Sequence, residues 1–163
     1  MIIDSHCHLE YEPMSLSLDD TIARANKEGV KYLLTISTTD KSLNKILKIT
    51  DDFNCVYGTY GIHPHEAKNH KHIKSEDIIK KTNLSKKIIG IGETGLDFYY
   101  NYSEKKDQIE CFEEHITAAQ TLNIPLIIHT RSAELETLEN RQFLSLKNLK
   151  KVVNKKSELL YFC

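Results

Sequence analysis

The chain has 163 residues, with 22 Lys and Arg against 23 Asp and Glu, a formal charge of −1, eight His, four Cys and no Trp. That length suits one ordinary domain and excludes a peptide hormone, a disulfide mini-protein and a large multidomain enzyme. The even charge excludes a polybasic mode of nucleic-acid binding, so any nucleic acid would have to be gripped locally.

A hydrophobic share of 40% with 28% charged residues is globular, and the longest apolar runs, such as 124–128, are far too short to span a bilayer. No membrane is expected as a partner. Asp4, His6 and His8 interrupt the apolar start, so no signal peptide is read and the cytoplasm is the expected compartment. Cys7, Cys55, Cys111 and Cys163 form no C-x-x-C pair and read as reduced, incidental thiols.

In chain order, residues 1–5 read as a short buried strand. Residues 18–28 read as a helix, with Ser17 as capping candidate, Asp19 and Asp20 in the first turn and Gly29 as the stop. Residues 30–36 are a second strand. Leu43, Ile46, Leu47 and Thr50 give a second helix from Asp40, and 55–60 a third strand ending at Gly61. A short helix is expected near Ser75, a fourth strand over 88–91, the longest helix over 104–122 and a fifth strand over 125–128. From Glu134 the pattern is helical to about Val153 and then fades. This alternation specifies a parallel sheet with crossover helices, either an open doubly wound sheet or a (β/α)8 barrel. In both, active groups gather at the C-terminal ends of the strands.

Six of the eight histidines lie in His-x-His pairs: His6/His8, His63/His65 and His70/His72. His6 and His8 follow the first strand, and residues two apart on a strand share a face, so together they can address one metal ion. The bland alternative is a pair of solvated loop imidazoles. Glu93, between Gly92 and Gly95, offers a hard-oxygen partner whose two oxygens can bridge two ions; otherwise it is a solvated turn residue. The flanking glycines are expected to let the backbone approach a ligand closely. His129 and Arg131 end the fifth strand, a metal-ligand candidate beside a guanidinium suited to bidentate phosphate binding or to a structural ion pair. Pro64 stiffens the loop carrying His63 and His65, which can contact a phosphate or transfer protons. His70 and His72 lie in a polar loop and read as solvent histidines, and His115 as a surface or capping residue of the long helix.

Ile-Ile-Asp-Ser-His-Cys-His-Leu at 2–9, Gly-Ile-His-Pro-His at 61–65, Gly-Glu-Thr-Gly-Leu-Asp at 92–97 and Pro-Leu-Ile-Ile-His-Thr-Arg at 125–131 occur in this order. With these motifs the chain, from residue 1 to about 140, resembles the TatD family of metal-dependent deoxyribonucleases in the amidohydrolase superfamily. The resemblance implies a TIM-type (β/α) barrel that holds one or two divalent ions and hydrolyses DNA phosphodiester bonds through metal-assisted attack of water. It places His6, His8, Glu93 and His129 on metal-ligand positions and His63, His65 and Arg131 near bound substrate, with Glu93, His63 and His65 as the catalytic candidates. Ligands of this kind accept Zn, Mn, Co or Fe, and phosphodiester chemistry adds Mg. Two departures stand out: Glu10 where the family more often has Asp, and Ser132 where an Asp usually follows the arginine.

A full barrel of this family runs about a hundred residues further and adds a His and a metal-ligating Asp. Residues 1–163 therefore read as a single, incomplete domain holding five or six of eight parallel strands, with 159–162 as a faint sixth and Tyr161 where a His is expected. Five or six strands cannot close the barrel and would leave sheet edges open. Two rival readings follow: an inactive truncated fragment that needs a second polypeptide to complete the barrel, and a small-molecule amidohydrolase or phosphoesterase. Arg141, Lys147, Lys150, Lys151, Lys155 and Lys156 form an all-basic stretch, read as a solvated helix face in preference to a DNA-facing patch.

Overall fold

The structure, a computed structural model, describes residues 1–140, 150–154 and 158–162, the last two segments as backbone. Five parallel strands follow one another in space as in sequence: β1 (Ile2–Cys7), β2 (Val30–Thr35), β3 (Val56–Tyr60), β4 (Ile88–Asp97) and β5 (Leu126–Arg131). The crossovers carry α1 (Leu18–Lys27), α2 (Ser42–Asp52), α3 (Ser75–Thr82) and α4 (Lys105–Leu122). Strand neighbours in chain order, each joined by a helix, are the signature of a TIM-type barrel, here built over five of its eight strands.

The helices form where the sequence alternates at helical spacing. Leu43, Ile46 and Ile49 of α2 and Phe112, Ile116 and Ala119 of α4 are fully or almost fully buried. Ile49 packs with Leu33 and Val56 and the others with Ile62, Ile91, Leu126 and Ile128 from the sheet side, and each large side chain buried this way stabilises by about 1.5–3 kcal/mol. Helix α1 stops at Gly29, whose φ of +88° takes the chain out of the helix. Asn123, at φ +53°, ends α4 in the same left-handed conformation.

Strand β1 differs from expectation. It is the open edge of the sheet, with Ile2 53% and Ile3 55% exposed, because among the described residues only β2 pairs with it. A second difference lies after β5. Helix α5 covers only Glu134–Glu139, and residues 150–154, expected to be helical, form strand β6 (Lys150–Asn154). It pairs antiparallel with β7 (Glu158–Phe162), which in turn lies antiparallel on β5. Two strands so close in sequence form a hairpin, since a parallel return needs a crossover of a dozen or more residues. The faint sixth strand is thus present but reversed. Of the basic stretch, Arg141, Lys147, Lys155 and Lys156 lie outside the described residues, as do the side chains of Lys150 and Lys151.

Strand β4 runs five residues beyond Gly92, past its expected end. Its register against β5 slips between Ile91 and Thr94, so the Gly92–Glu93 segment is a bulge. Gly92 and Gly95 have φ of +128° and +137°; a Cβ would fall 2.4 Å from Ile127 O at the first and 2.1 Å from His129 O at the second. The close approach that these glycines permit is therefore to the backbone of β5 rather than to a ligand. A bulge re-aims the side chain it carries. Here that side chain is Glu93, whose N–H donates to Ser37 O at 2.7 Å just past the end of β2.

Candidate metal centre

Glu93 lies at the middle of the histidines and is only 4% exposed. Its Oε2 faces His6 Nε2 at 3.8 Å, and its Oε1 faces His129 Nδ1 at 3.2 Å and His63 Nε2 at 4.0 Å. The two oxygens thus look to opposite sides. Two groups of possible ligand atoms result, His6 with His8 and Glu93, and His63 with Glu93 and His129, each with its atoms within 4.8 Å of one another. Two imidazoles and a carboxylate at such spacing fit a divalent cation, whose bonds to N and O run about 2.0–2.2 Å for zinc.

The hydrogen bonds select tautomers. His8 Nδ1 lies 3.0 Å from Ile36 O, an acceptor only, so Nδ1 carries the proton and Nε2 keeps its lone pair for a cation. His63 is the reverse: its Nδ1 accepts the His65 N–H at 3.2 Å, so in the neutral ring the proton is on Nε2, the atom facing Glu93. Burial would push Glu93 up, but the His129 hydrogen bond and the electrostatic pull of the surrounding imidazoles bring it down to about 2, and it is a carboxylate at any working pH. Burial pushes His63 down to about 4, so its ring is neutral. His8 and His129 are partly buried, which lowers them, yet both are held above the ordinary histidine value, His8 by Glu10 and His129 by Glu93 and Asp97.

Several residues of the centre carried no assignment at the level of sequence. Asp97, fully buried, accepts His65 Nε2 at 2.7 Å and His129 Nε2 at 3.1 Å on Oδ2. Its Oδ1 accepts the N–H groups of Tyr99 and Tyr100 at 3.0 and 3.1 Å. Burial raises its pKa, but the His65 hydrogen bond, the Tyr100 N–H and His129 outweigh that and hold it low. It ends the Gly-Glu-Thr-Gly-Leu-Asp motif, so its place at the strand end was the available signal. Glu10, 1% exposed, accepts Thr35 Oγ1 at 2.8 Å and approaches His8 Nδ1 at 3.5 Å, bracing the chain just past β1.

Arg131 lies at the end of β5 and stacks on Tyr99 and Tyr100, 4.2 and 4.7 Å from the ring centroids; among the described residues it forms no ion pair. His65 belongs to the Asp97 network, and its ring is 4.4 Å from that of His63. His72 is exposed, as expected, whereas His70 is half-buried with Nδ1 2.9 Å from Glu66 O. His115 is not a surface residue. It is 1% exposed, and it joins α4 to the loop after β3 by accepting the Ile62 N–H on Nε2 at 3.0 Å. Periodicity missed it because a histidine looks polar, while here both ring nitrogens are satisfied inside the core. Among the described residues no helix is long and apolar enough to cross a membrane.

Known proteins resemble this chain in sequence and in fold. The chain is 35% identical over 146 residues to an uncharacterized metal-dependent hydrolase of Buchnera aphidicola from Acyrthosiphon pisum, covering 85% of this chain and 55% of that protein. It is 33% identical over 115 residues to the 3′-5′ ssDNA/RNA exonuclease TatD of Salmonella typhimurium, covering 71% of this chain and 44% of that one. Among solved structures, the YjjV TatD homologue of Escherichia coli K12 superposes with a TM-score of 0.77 at 23% identity, over 83% of this chain and 53% of that chain. A TatD family hydrolase of Entamoeba histolytica superposes with a TM-score of 0.76 at 18% identity, over 85% and 52%. At those identities the superpositions establish the fold alone. The chain spans about half the length of the curated relatives it matches. The sequence model of the family described as TatD related DNase matches residues 3–154, a span that takes in Glu93 and every histidine around it, and the chain belongs to that family.

Proposed function

We propose that the chain is a metal-dependent phosphodiesterase acting on nucleic acid, with DNA as substrate and residues 1–163 as one incomplete barrel domain. The observation that supports this best is the pair of oxygens on Glu93, turned toward His6 on one side and His129 on the other. In this reading His6, His8, Glu93 and His129 hold one or two divalent ions, of which Mg, Mn, Zn and Co suit the donors. Such ions supply Lewis acidity toward a phosphoryl oxygen and lower the pKa of water.

The chain's own residues do the rest. Arg131, already stacked on two tyrosines, presents its guanidinium fork to a phosphate without first having to be ordered. His63, neutral and bearing its proton on Nε2, can donate to a phosphate oxygen or to a departing one. Asp97 fixes the ring orientations of His65 and His129, as a carboxylate behind an imidazole does. His65 acts with His63 at the substrate side. The name of the Salmonella relative, a single-strand exonuclease, favours nucleic acid over other esters.

The test is release of nucleotides from single-stranded DNA by the purified chain with Mn²⁺ or Mg²⁺, stopped by chelator. Arg131→Ala is expected to raise KM about tenfold or more with a smaller change in kcat, the loss of one charge-assisted, bidentate contact. A KM equal to that of the unaltered chain would remove Arg131 from the substrate site. Preference for a small amide or phosphomonoester over DNA would move the reading to a small-molecule hydrolase. A second reading is favoured by the open β1 edge with exposed Ile2 and Ile3: the chain binds metal but turns over only beside a second polypeptide that completes the barrel. Metal binding without nucleotide release would select it.

A further inference from the structure

The loop from Phe98 to Ser103 holds three tyrosines that ligate no metal, two of which, Tyr99 and Tyr100, carry Arg131. Tyr99, Tyr100 and Tyr102 are 59%, 37% and 53% exposed, a large aromatic surface beside a buried polar centre. The rings are continuous with that centre: Tyr102 lies 4.6 Å and Tyr100 5.5 Å from the His65 ring, and the two tyrosines lie 5.4 Å apart at 35°. A chain of aromatic contacts thus runs from His129 through His63 and His65 to the tyrosines.

The loop is also pinned. Asp97, whose Oδ2 takes His65 and His129, uses its other oxygen to hold the N–H groups of Tyr99 and Tyr100. Gln108 donates to Asp97 O at 3.0 Å and Ser103 O at 2.9 Å, and Ser103 Oγ donates to His65 O while accepting the Lys68 N–H. Exposed rings on a loop tied down at both ends lose little freedom when a ligand lands on them. The space they border is wide: an open cavity of about 550 Å³ is lined by Tyr100, Tyr102, His65, Glu66, Lys68 and Asn69.

We infer that Tyr100 and Tyr102 form a stacking platform for a nucleobase of the nucleic-acid chain bound at the Glu93 centre, with Lys68 meeting the neighbouring phosphate. This deepens the phosphodiesterase reading and rests on it. Flat π-faces with a cation nearby take any base, since base–aromatic stacking is tolerant of sequence. Single-stranded substrate follows, because paired bases keep their faces covered by one another. The even net charge of the chain favours such local holding.

The test uses two pentanucleotides with identical phosphates, one carrying 2-aminopurine and one fully abasic, titrated into the full chain in EDTA so that nothing is cleaved. The base-bearing strand is expected to bind about tenfold more tightly, with its 2-aminopurine fluorescence quenched by the rings. Tyr100→Leu with Tyr102→Leu should erase both the preference and the quenching, while the two phenylalanine replacements retain them. Lys68→Ala should weaken both strands alike. The surface-exposed Tyr102→Leu alone, which leaves the half-buried ring in place, should lose part of the preference.

Equal binding of the two strands by the unaltered chain overturns the platform while leaving phosphodiester recognition intact. Binding of neither strand also overturns the platform, since the rings and Lys68 need no metal, and leaves the metal-dependent nucleic-acid reading to the nucleotide-release assay. A preference that survives the leucine replacements, or one lost equally with phenylalanine, shows that the ring faces are not the contact.

Discussion

Glu93→Ala is expected to lower the affinity of the chain for Mn²⁺ by at least about a hundredfold and to abolish nucleotide release. Loss of a group that merely orients a ligand costs 10–100-fold in affinity, and a carboxylate in direct reach of the cation costs no less. The geometry makes a sharper distinction. Glu93 belongs to both ligand groups, whereas His8 belongs to one. Titration calorimetry should therefore show both sites weakened by Glu93→Ala and a single site lost with His8→Ala. Glu93→Gln separates charge from shape, since it keeps the size of the side chain and removes the anion that His6, His63 and His129 surround. Unchanged affinity and stoichiometry in the alanine variant would place the metal elsewhere.

The second large effect concerns His115, which never touches the site. His115→Ala is expected to destabilise the fold by about 2–4 kcal/mol, because the Ile62 N–H is left buried without its acceptor and a cavity opens in α4. The same residue makes stability depend on pH. Burial holds its pKa down to about 4 from the ordinary 6.5, and a proton on Nε2 would face the Ile62 N–H. The unfolded chain therefore binds more protons than the folded one between those values. Stability from this residue is full above pH 6.5 and falls as pH drops toward 4, by about 3 kcal/mol in all. His63 titrates in the same direction and His8 and His129 in the opposite one, so the informative quantity is the difference between the unaltered chain and His115→Ala in urea denaturation across pH 4–7. Parallel pH curves for the two proteins would show that His115 is not the buried neutral group.

Much of the framework was legible because its signals are local. Apolar runs and helical stripes located β1 to β5 and α1 to α4 within a few residues, since period and capping chemistry act over one or two turns. The errors also have local causes. Residues 150–154 carry a pattern compatible with helix, and pairing with β7 decides for a strand. Gly92 reads as the end of β4 because glycine weakens a strand, whereas here it makes a bulge and the strand continues.

For the site, the sequence alone determined which residue types stand near the ends of β1, β3 and β5, His6 and His8, His63 and His65, and His129 with Arg131, and that Glu93 follows the apolar run of β4. A parallel sheet delivers all its strand ends to one rim, so their assembly followed from connectivity. Only the tertiary structure decided how they divide. The turning of Glu93 between two groups of histidines depends on a one-residue slip between β4 and β5, and no sequence period encodes register. The Nε2 proton of His63, the four hydrogen bonds on Asp97 and the burial of His115 likewise depend on partners 2 to 53 residues away. Hydrogen bonds and burial are properties of neighbours in space, and for these residues the neighbours are set by packing.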